Sequence, residues 1–185
     1  MDRIRCGWCE KDELYRKYHD EEWGRPVYDD ETIFEFLILE SFQAGLSWYT
    51  ILAKRENFRK AFDHFDYKKM ASYSEEKIND LMNDPGIIRN KLKIRAAITN
   101  AQRFMEVQSE FGSFSHYIWG FTDGKIADHA PKTVSEIPAT TKISDLISAD
   151  LKKRGFKFMG STVVYAHMQA TGMVNDHLES CFIRK

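Results

Sequence analysis

The sequence predicts an all-α protein. Apolar residues recur at helical spacing along most of the chain, and N-cap residues and Gly or Pro breaks punctuate those stretches. No segment alternates convincingly between apolar and polar residues, as a half-buried strand does. The first helix runs from Asp12 to Trp23 and is closed by Gly24 and Pro26. A second extends from about Asp30 to Leu46, opened by Asp29, Asp30 and Glu31, acids that favour the positive end of the helix dipole. A third covers Ser47 to Phe62. Ser72-Tyr73-Ser74-Glu75 offers an N-cap or capping box for a helix reaching Met82, after which Asn83-Asp84-Pro85-Gly86 breaks the chain. A long helix follows over roughly Arg89 to Gln108. Gly120 to Thr141 has no periodicity and reads as a loop packed on the surface. Two more helices complete the pattern: Ser144 to Arg154, stopped by Gly155, and Ser161 to Thr171, stopped by Gly172.

At 185 residues the chain is long enough for a substantial core, as one large domain or two small ones. Hydrophobic residues at 43% and charged residues at 30% are the balance of an ordinary soluble globular protein. No apolar run spans a bilayer without a charge, and Met1-Asp2-Arg3-Ile4-Arg5 opens no signal-peptide pattern, so no membrane association is expected. Three cysteines make no disulfide framework, which favours a reducing, cytoplasmic setting. A net charge of −1 argues against coating nucleic acid by bulk electrostatics but leaves room for one local basic face.

Four metal-capable side chains lie at the two ends: Cys6 and His19, then His177 and Cys181. His177 and Cys181 are four apart, a spacing that on a helix brings both to one face. Two Cys and two His would complete a tetrahedral zinc site with no position left for water, the pattern of a structural staple. Spacing alone does not decide this. Buried cysteines are commonly inert, and Cys6-Gly7-Trp8-Cys9 is itself a Cys-x-x-Cys that could donate two ligands or act as a redox pair. The redox reading wants a preceding strand, for which the five residues before Cys6 leave no room.

The helices on either side of Asp84-Pro85-Gly86-Ile87-Ile88 resemble a helix-hairpin-helix, whose second helix offers backbone N–H groups to a DNA phosphate. The following helix carries Arg89, Lys91, Lys93, Arg95 and Arg103 with no acid from Gly86 to Arg103. That positive stripe favours DNA contact through Gly86, Ile88, Arg89 and Lys91, against the plainer reading of a solvated surface helix. Ile88 stands where the usual hairpin has a second glycine.

Glu40 sits in an apolar helix, with Phe36 and Leu37 a turn before it and Gln43 and Ala44 a turn after. Glu35, beside Glu31 and Thr32, has the wetter face. A buried carboxylate is costly unless paired or used. Pairing with a backbone N–H or an Arg is the commoner explanation, and a functional role is the sharper one. Trp8, Tyr15, Tyr18, Trp23, Trp48 and Tyr49 are residues that usually fill a core, yet such aromatics around one carboxylate also suit a flat cation. Gly45-Leu46-Ser47 interrupts the helices beside Trp48, where an apolar residue could wedge between DNA bases.

Read in order, several blocks resemble one family: Arg5-Cys6-Gly7-Trp8, Tyr18-His19-Asp20-Glu21-Glu22-Trp23-Gly24, Leu39-Glu40 and Gln43-Ala44-Gly45-Leu46-Ser47-Trp48. Arg55-Glu56-Asn57-Phe58-Arg59, Gly86-Ile87-Ile88-Arg89, Lys153-Arg154-Gly155-Phe156-Lys157-Phe158 and Asn175-Asp176-His177 continue the match. From Cys6 to Cys181 the chain resembles the 3-methyladenine DNA glycosylase I family, bacterial base-excision repair enzymes of the helix-hairpin-helix superfamily. The resemblance implies a single glycosylase domain over 1–185 with the helix-hairpin-helix at about 74–106. It also implies one structural zinc per chain, held by Cys6, His19, His177 and Cys181, which joins the N- and C-terminal regions. Cys9 has no ligand counterpart.

By the same resemblance Glu40 recognises the methylated base, Tyr18 hydrogen-bonds in the pocket, Trp48 stacks, and Trp23 and Trp8 line the same pocket. Leu46 matches the loop that enters the duplex, while Tyr15 and Gln43 have no assigned role. The implied reaction is hydrolysis of the N-glycosidic bond of 3-methyladenine in double-stranded alkylated DNA by base flipping, leaving an abasic site and free 3-methyladenine. It is expected of a monomer in the bacterial cytosol. The family lacks the catalytic Asp that most of the superfamily places after the hairpin. That is chemically sensible, because a base made cationic by N3-methylation departs neutral without being protonated.

Three other classes compete. A zinc-stapled DNA-binding module without catalysis would share the hairpin and basic helix but has no need of a carboxylate among aromatics. A thiol redox protein would use Cys6 and Cys9. A zinc hydrolase would want a His-Glu-x-x-His, which His19-Asp20-Glu21-Glu22-Trp23 does not supply.

Overall fold

The computed structural model describes residues 3–184, so Met1 and Asp2 of the N-terminal segment fall outside the described residues. Among the described residues ten α-helices follow one another: α1 (Glu13–Glu21), α2 (Asp30–Gln43), α3 (Trp48–Leu52), α4 (Arg55–Ala61), α5 (Tyr67–Met70), α6 (Glu75–Asn83), α7 (Lys91–Phe111), α8 (Phe114–Gly120), α9 (Lys142–Lys153) and α10 (Ser161–Ala170). Most starts are set by side-chain caps. Asp12, Asp29, Ser47, Ser74, Asn90 and Ser113 each accept from a backbone N–H in the first turn, satisfying a donor the helix itself cannot pair.

The helical expectation holds, with corrections at the joints. The helix expected over Ser47–Phe62 is two, α3 and α4, separated at Ala53-Lys54. α2 ends at Gln43 rather than Leu46, because Ala44 leaves helical geometry (ψ 114°) and Gly45 takes a positive φ of 81°. α5 and α8, of 4 and 7 residues, are too short for a periodic pattern to register and were not expected. Ala127–Asp128 (β1) pairs in parallel with Val174–Asn175 (β2), so the chain is not strand-free. Two residues cannot display alternation in a sequence.

α2 carries buried side chains nearly all round, including Ile33, Phe34, Leu37, Ile38 and Phe42. A helix apolar on every face belongs in the middle of a protein, and α7, α8 and α10 pack around it. A second, smaller cluster joins Cys6, Tyr18, Trp23, Phe36, Leu52 and Cys181, where the two ends of the chain meet. There Phe182 N–H donates to Ile4 O at 2.8 Å. No described helix is long and apolar enough to cross a membrane.

Candidate functional site

The end of α2 organises a cleft. Lys93, on α7, is buried and donates from Nζ to Phe42 O (2.8 Å) and Ala44 O (2.6 Å). These are carbonyls that the helix terminus leaves without partners, and a cation there also suits the negative end of the helix dipole. With its backbone pinned, the chain presents Gly45, Leu46 and Ser47 to solvent, with Leu46 39% exposed.

Glu40 lies one turn inside this terminus and is 3% exposed. Its Oε2 is buried with no hydrogen-bond partner among the described residues. Both burial and position at the helix C-terminus disfavour a negative charge. Burial holds the carboxyl well above the usual carboxylate range. Glu35, by contrast, is paired with Arg55 (2.5 Å) and Arg59 (2.8 Å). Glu35 is the more exposed of the two acids, as the sequence contrast indicates, and only it has cationic partners among the described residues.

The expected aromatics do converge. Tyr18 is buried and its ring centre lies 5.4 Å from that of Trp48. Trp8 sits 4.9 Å from both Tyr15 and Trp23. Trp48 Nε1 is a second buried group without a partner among the described residues. Burial, then the nearby Glu40, raises the Tyr18 hydroxyl well above its ordinary value, so this phenol keeps its proton and can donate. Tyr49 faces elsewhere and donates to Asp12.

The cleft has two lobes that share Gln43 and Ala166. The aromatic lobe, about 220 Å³, is bounded by Trp8, Tyr15, Tyr18, Trp23 and Trp48. The other, about 180 Å³, contains Glu40, Gly45, Leu46 and Thr162. No aspartate lines either lobe. An unpartnered acid, an unpartnered indole N–H and flanking aromatic faces are equipped to hold a flat, cationic heterocycle.

Cys6, His19, His177 and Cys181 are all buried, and their ligand atoms lie within 4.8 Å of one another, so this group could hold a metal ion. Cys181 Sγ stands 3.5 Å from His19 Nε2 and 3.7 Å from His177 Nδ1, and Cys6 Sγ stands 3.8 Å from His177 Nδ1. The outer nitrogens are also engaged. His19 Nδ1 is 2.8 Å from Asp20 Oδ1, and His177 Nε2 is 3.0 Å from Trp23 O. A carbonyl only accepts, so His177 carries its proton on Nε2 and turns a lone pair at Nδ1 toward both sulfurs. Leu178 N–H donates to Cys6 Sγ at 3.3 Å. Residues 176–180 are irregular and turn rather than helix, so a turn and not a helix face brings His177 and Cys181 together, with Cys181 N–H closing on Leu178 O at 2.8 Å. Cys9 is buried outside the group and donates to Cys6 O.

The residues of the expected hairpin stand on the surface near α4. Lys54 Nζ donates to Pro85 O and Gly86 O, and Asn57 Nδ2 to Gly86 O, at 3.2–3.3 Å. A Cβ on Gly86 would fall 2.9 Å from Asp84 Oδ1 and 3.1 Å from Asn57 Cβ, which explains the glycine. Ile88 is half-buried, while Arg89 and Lys91 are exposed. The stripe is shorter than the sequence indicates. Lys93 points inward and Arg95 pairs with Glu75, contacts that a linear reading cannot see, while Arg103 pairs with Glu106 one turn along its own helix.

Sequence reasoning missed several wall residues. Thr162, Ala166 and Gln169 on α10 recur at i, i+4 and i+7, a small and polar face that could have been noticed. Val134 and Ile137 reach the aromatic lobe from the segment read as a surface loop, and no local signal marks them.

The profile of the methyladenine glycosylase family matches residues 8–185. The chain is similar to DNA-3-methyladenine glycosylase 1 of Escherichia coli (strain K12), 47% identical over 177 residues that cover 96% of this chain and 95% of that protein. A crystal structure of 3-methyladenine DNA glycosylase I superposes with a TM-score of 0.94 at 45% identity, covering 97% of this chain and 98% of the other. A variant of 3-methyladenine DNA glycosylase I in complex with 3-methyladenine also gives 0.94, at 35% identity, covering 98% and 97%.

Proposed function

The chain belongs to the methyladenine glycosylase family, and from that premise we propose that it excises 3-methyladenine from alkylated double-stranded DNA with Glu40 as the base-recognition residue. The observation that carries this reading is the buried Glu40 carboxyl with no cationic partner at the mouth of an aromatic cleft. Such a group is destabilising in the free protein, and a cationic base supplies its missing counter-charge. Ionised in that complex, Glu40 accepts from the exocyclic amine and favours cationic over neutral purines.

The sequence of events follows from the residues. The hairpin at about 74–106, through Gly86, Ile88, Arg89 and Lys91, holds the phosphate backbone. Leu46 enters the stack as the damaged nucleotide leaves it. Trp48 and Tyr18, with Trp8 and Trp23, enclose the extruded ring. Water attacks C1′, the electron pair of the C1′–N9 bond goes to the base, and the positive charge of the base is neutralised. The base leaves without protonation, the water proton passes to solvent, and an abasic site remains. No catalytic Asp is required, in keeping with the absence of an aspartate from the cleft walls. A single chain supplies every group named, so the enzyme is proposed to act as a monomer.

We also propose that the Cys6, His19, His177 and Cys181 group holds a structural zinc. Zn–S and Zn–N bonds of roughly 2.3 and 2.0–2.1 Å in a tetrahedron set ligand atoms roughly 3.3–3.8 Å apart. The sulfur–nitrogen separations of 3.5, 3.7 and 3.8 Å fall in that range, and all four ligand atoms lie within 4.8 Å of one another. Asp20 and the Trp23 carbonyl orient the two imidazoles as outer partners of metal-binding histidines do. Four protein ligands leave no position for water, so the ion would contribute folding stability.

Titration with free 3-methyladenine, followed by tryptophan fluorescence, tests the pocket. Quenching by the wild type that Glu40→Gln weakens is expected. No response from a folded wild-type protein would refute the assignment.

A further inference from the structure

Val134 and Ile137 reach the aromatic lobe from a segment remote in sequence from every other lining residue. They flank a turn that closes on itself: Glu136 N–H donates to Thr133 O (3.1 Å), Ile137 N–H to Val134 O (3.2 Å), and Lys132 N–H to Glu136 Oε2 (2.8 Å). Its attachment to the body lies at its root. Ala127 N–H donates to Met173 O (3.0 Å), and Glu179 N–H to Pro131 O (2.8 Å). His129 Nδ1 meets the fully buried Asp176 at 2.8 Å, and Asp176 also accepts from Tyr165 Oη (2.5 Å) and from Nε2 of Gln169 (2.8 Å), itself a cleft residue. One carboxylate thus fixes the turn's root and the α10 wall together. Val134 ends 51% exposed at the edge of the cleft.

Resting on the glycosylase reading above, we propose that Val134 and Ile137 form the apolar seat for the N3-alkyl group and limit its size. In adenine the exocyclic amine on C6 and a substituent on N3 lie para across the six-membered ring and point in opposite directions. A carboxylate that accepts from the amine therefore turns the alkyl group away from itself. Glu40 lines one lobe, and Val134 and Ile137 line the other. An alkyl group forms no hydrogen bond, and aliphatic side chains are the wall that accommodates it without leaving a polar group unpaired.

The test compares Val134→Ala and Ile137→Ala with wild type on duplexes carrying a single 3-methyladenine or 3-ethyladenine. A methylene in an apolar pocket is worth about tenfold or more in discrimination. Truncating the wall should slow excision of 3-methyladenine and raise the ethyl-to-methyl rate ratio by about tenfold, while Val134→Leu lowers that ratio. Val134 is half exposed, so its truncation leaves melting unchanged. Ile137→Val reads the same ratio should Ile137→Ala melt early. A ratio that stays within about twofold of wild type in every variant would overturn the proposal. A folded wild type that releases no 3-methyladenine would overturn the glycosylase reading itself, and the seat with it.

Discussion

His177 donates its Nε2–H to the carbonyl oxygen of Trp23 at 3.0 Å, and the two rings meet edge to face with centres 4.6 Å apart. Trp23 is a wall of the aromatic cleft, and His177 belongs to the metal-capable group at the joined chain ends. A Cβ on Gly24 would stand 3.0 Å from the same Nε2, so the junction leaves little room for displacement. The metal-capable group and the aromatic cleft are therefore mechanically continuous.

Removing the staple should be felt at both places. Cys181→Ser is expected to cost about 3 kcal/mol, roughly 6–12 °C in melting temperature for a chain of this size. Stripping the wild type with a chelator should give a similar loss, while the variant stays indifferent to chelation. Binding of free 3-methyladenine should weaken in parallel as Trp23 loses its support. Melting curves with and without chelator check this, and equal chelator sensitivity in both proteins would contradict it.

Glu40 sets a pH dependence whose sign is fixed by burial. Its folded pKa lies above its unfolded value near 4.3, so the folded state holds a proton that the unfolded state releases. Its stability contribution is intact below that unfolded value and declines as pH rises toward the folded one. Glu40→Gln removes this decline. The variant should match wild type near pH 4 and melt higher at neutral pH, a stability gain at the expense of function. Parallel melting profiles across the pH series would rule this out.

Lys93 supports the cleft from behind. Lys93→Met keeps the side-chain length but leaves Phe42 O and Ala44 O without their charged donor, at a cost of about 2–3 kcal/mol. Because those carbonyls hold the Gly45-Leu46-Ser47 turn, excision should fall by more than the stability loss explains. Comparing activity with urea-unfolding free energies distinguishes the two effects.

Leu46→Ala removes an exposed side chain and should leave melting unchanged. Excision from duplex DNA should drop about tenfold, since the extruded nucleotide is no longer replaced in the stack. Capture of the free base should stay intact. Equal effects on both assays would mean that Leu46, which also borders the Glu40 lobe, acts by holding the base rather than by entering the duplex.

The fold was legible where order is local. Apolar residues throughout α2, the caps at Asp29 and Ser74 and the break at Asp84-Pro85-Gly86 all act within a turn or two, and sequence periodicity reports them. Glu40 stood out for the same reason, as one acid inside that apolar helix. What escaped depends on distant partners. Lys93 reads as part of a basic stripe because Phe42 and Ala44 are far from it in sequence. The His177 and Cys181 spacing suggested that the two side chains meet on a helix, whereas a turn brings them together. Val134 and Ile137 join the cleft through a segment held by the β1–β2 pairing, Glu179 N–H on Pro131 O and His129 on Asp176, long-range contacts that no sequence pattern reveals.

The most direct measurement is base release from methylated duplex DNA, resolved by chromatography, with wild type and Glu40→Gln side by side. Release of 3-methyladenine by the wild type, reduced on the order of a hundredfold in the variant, is the expected result, equivalent to roughly 2.7 kcal/mol of lost transition-state stabilisation. Equal release by both proteins would contradict the role of Glu40, and with it the central claim that an unpartnered buried carboxylate selects the cationic base.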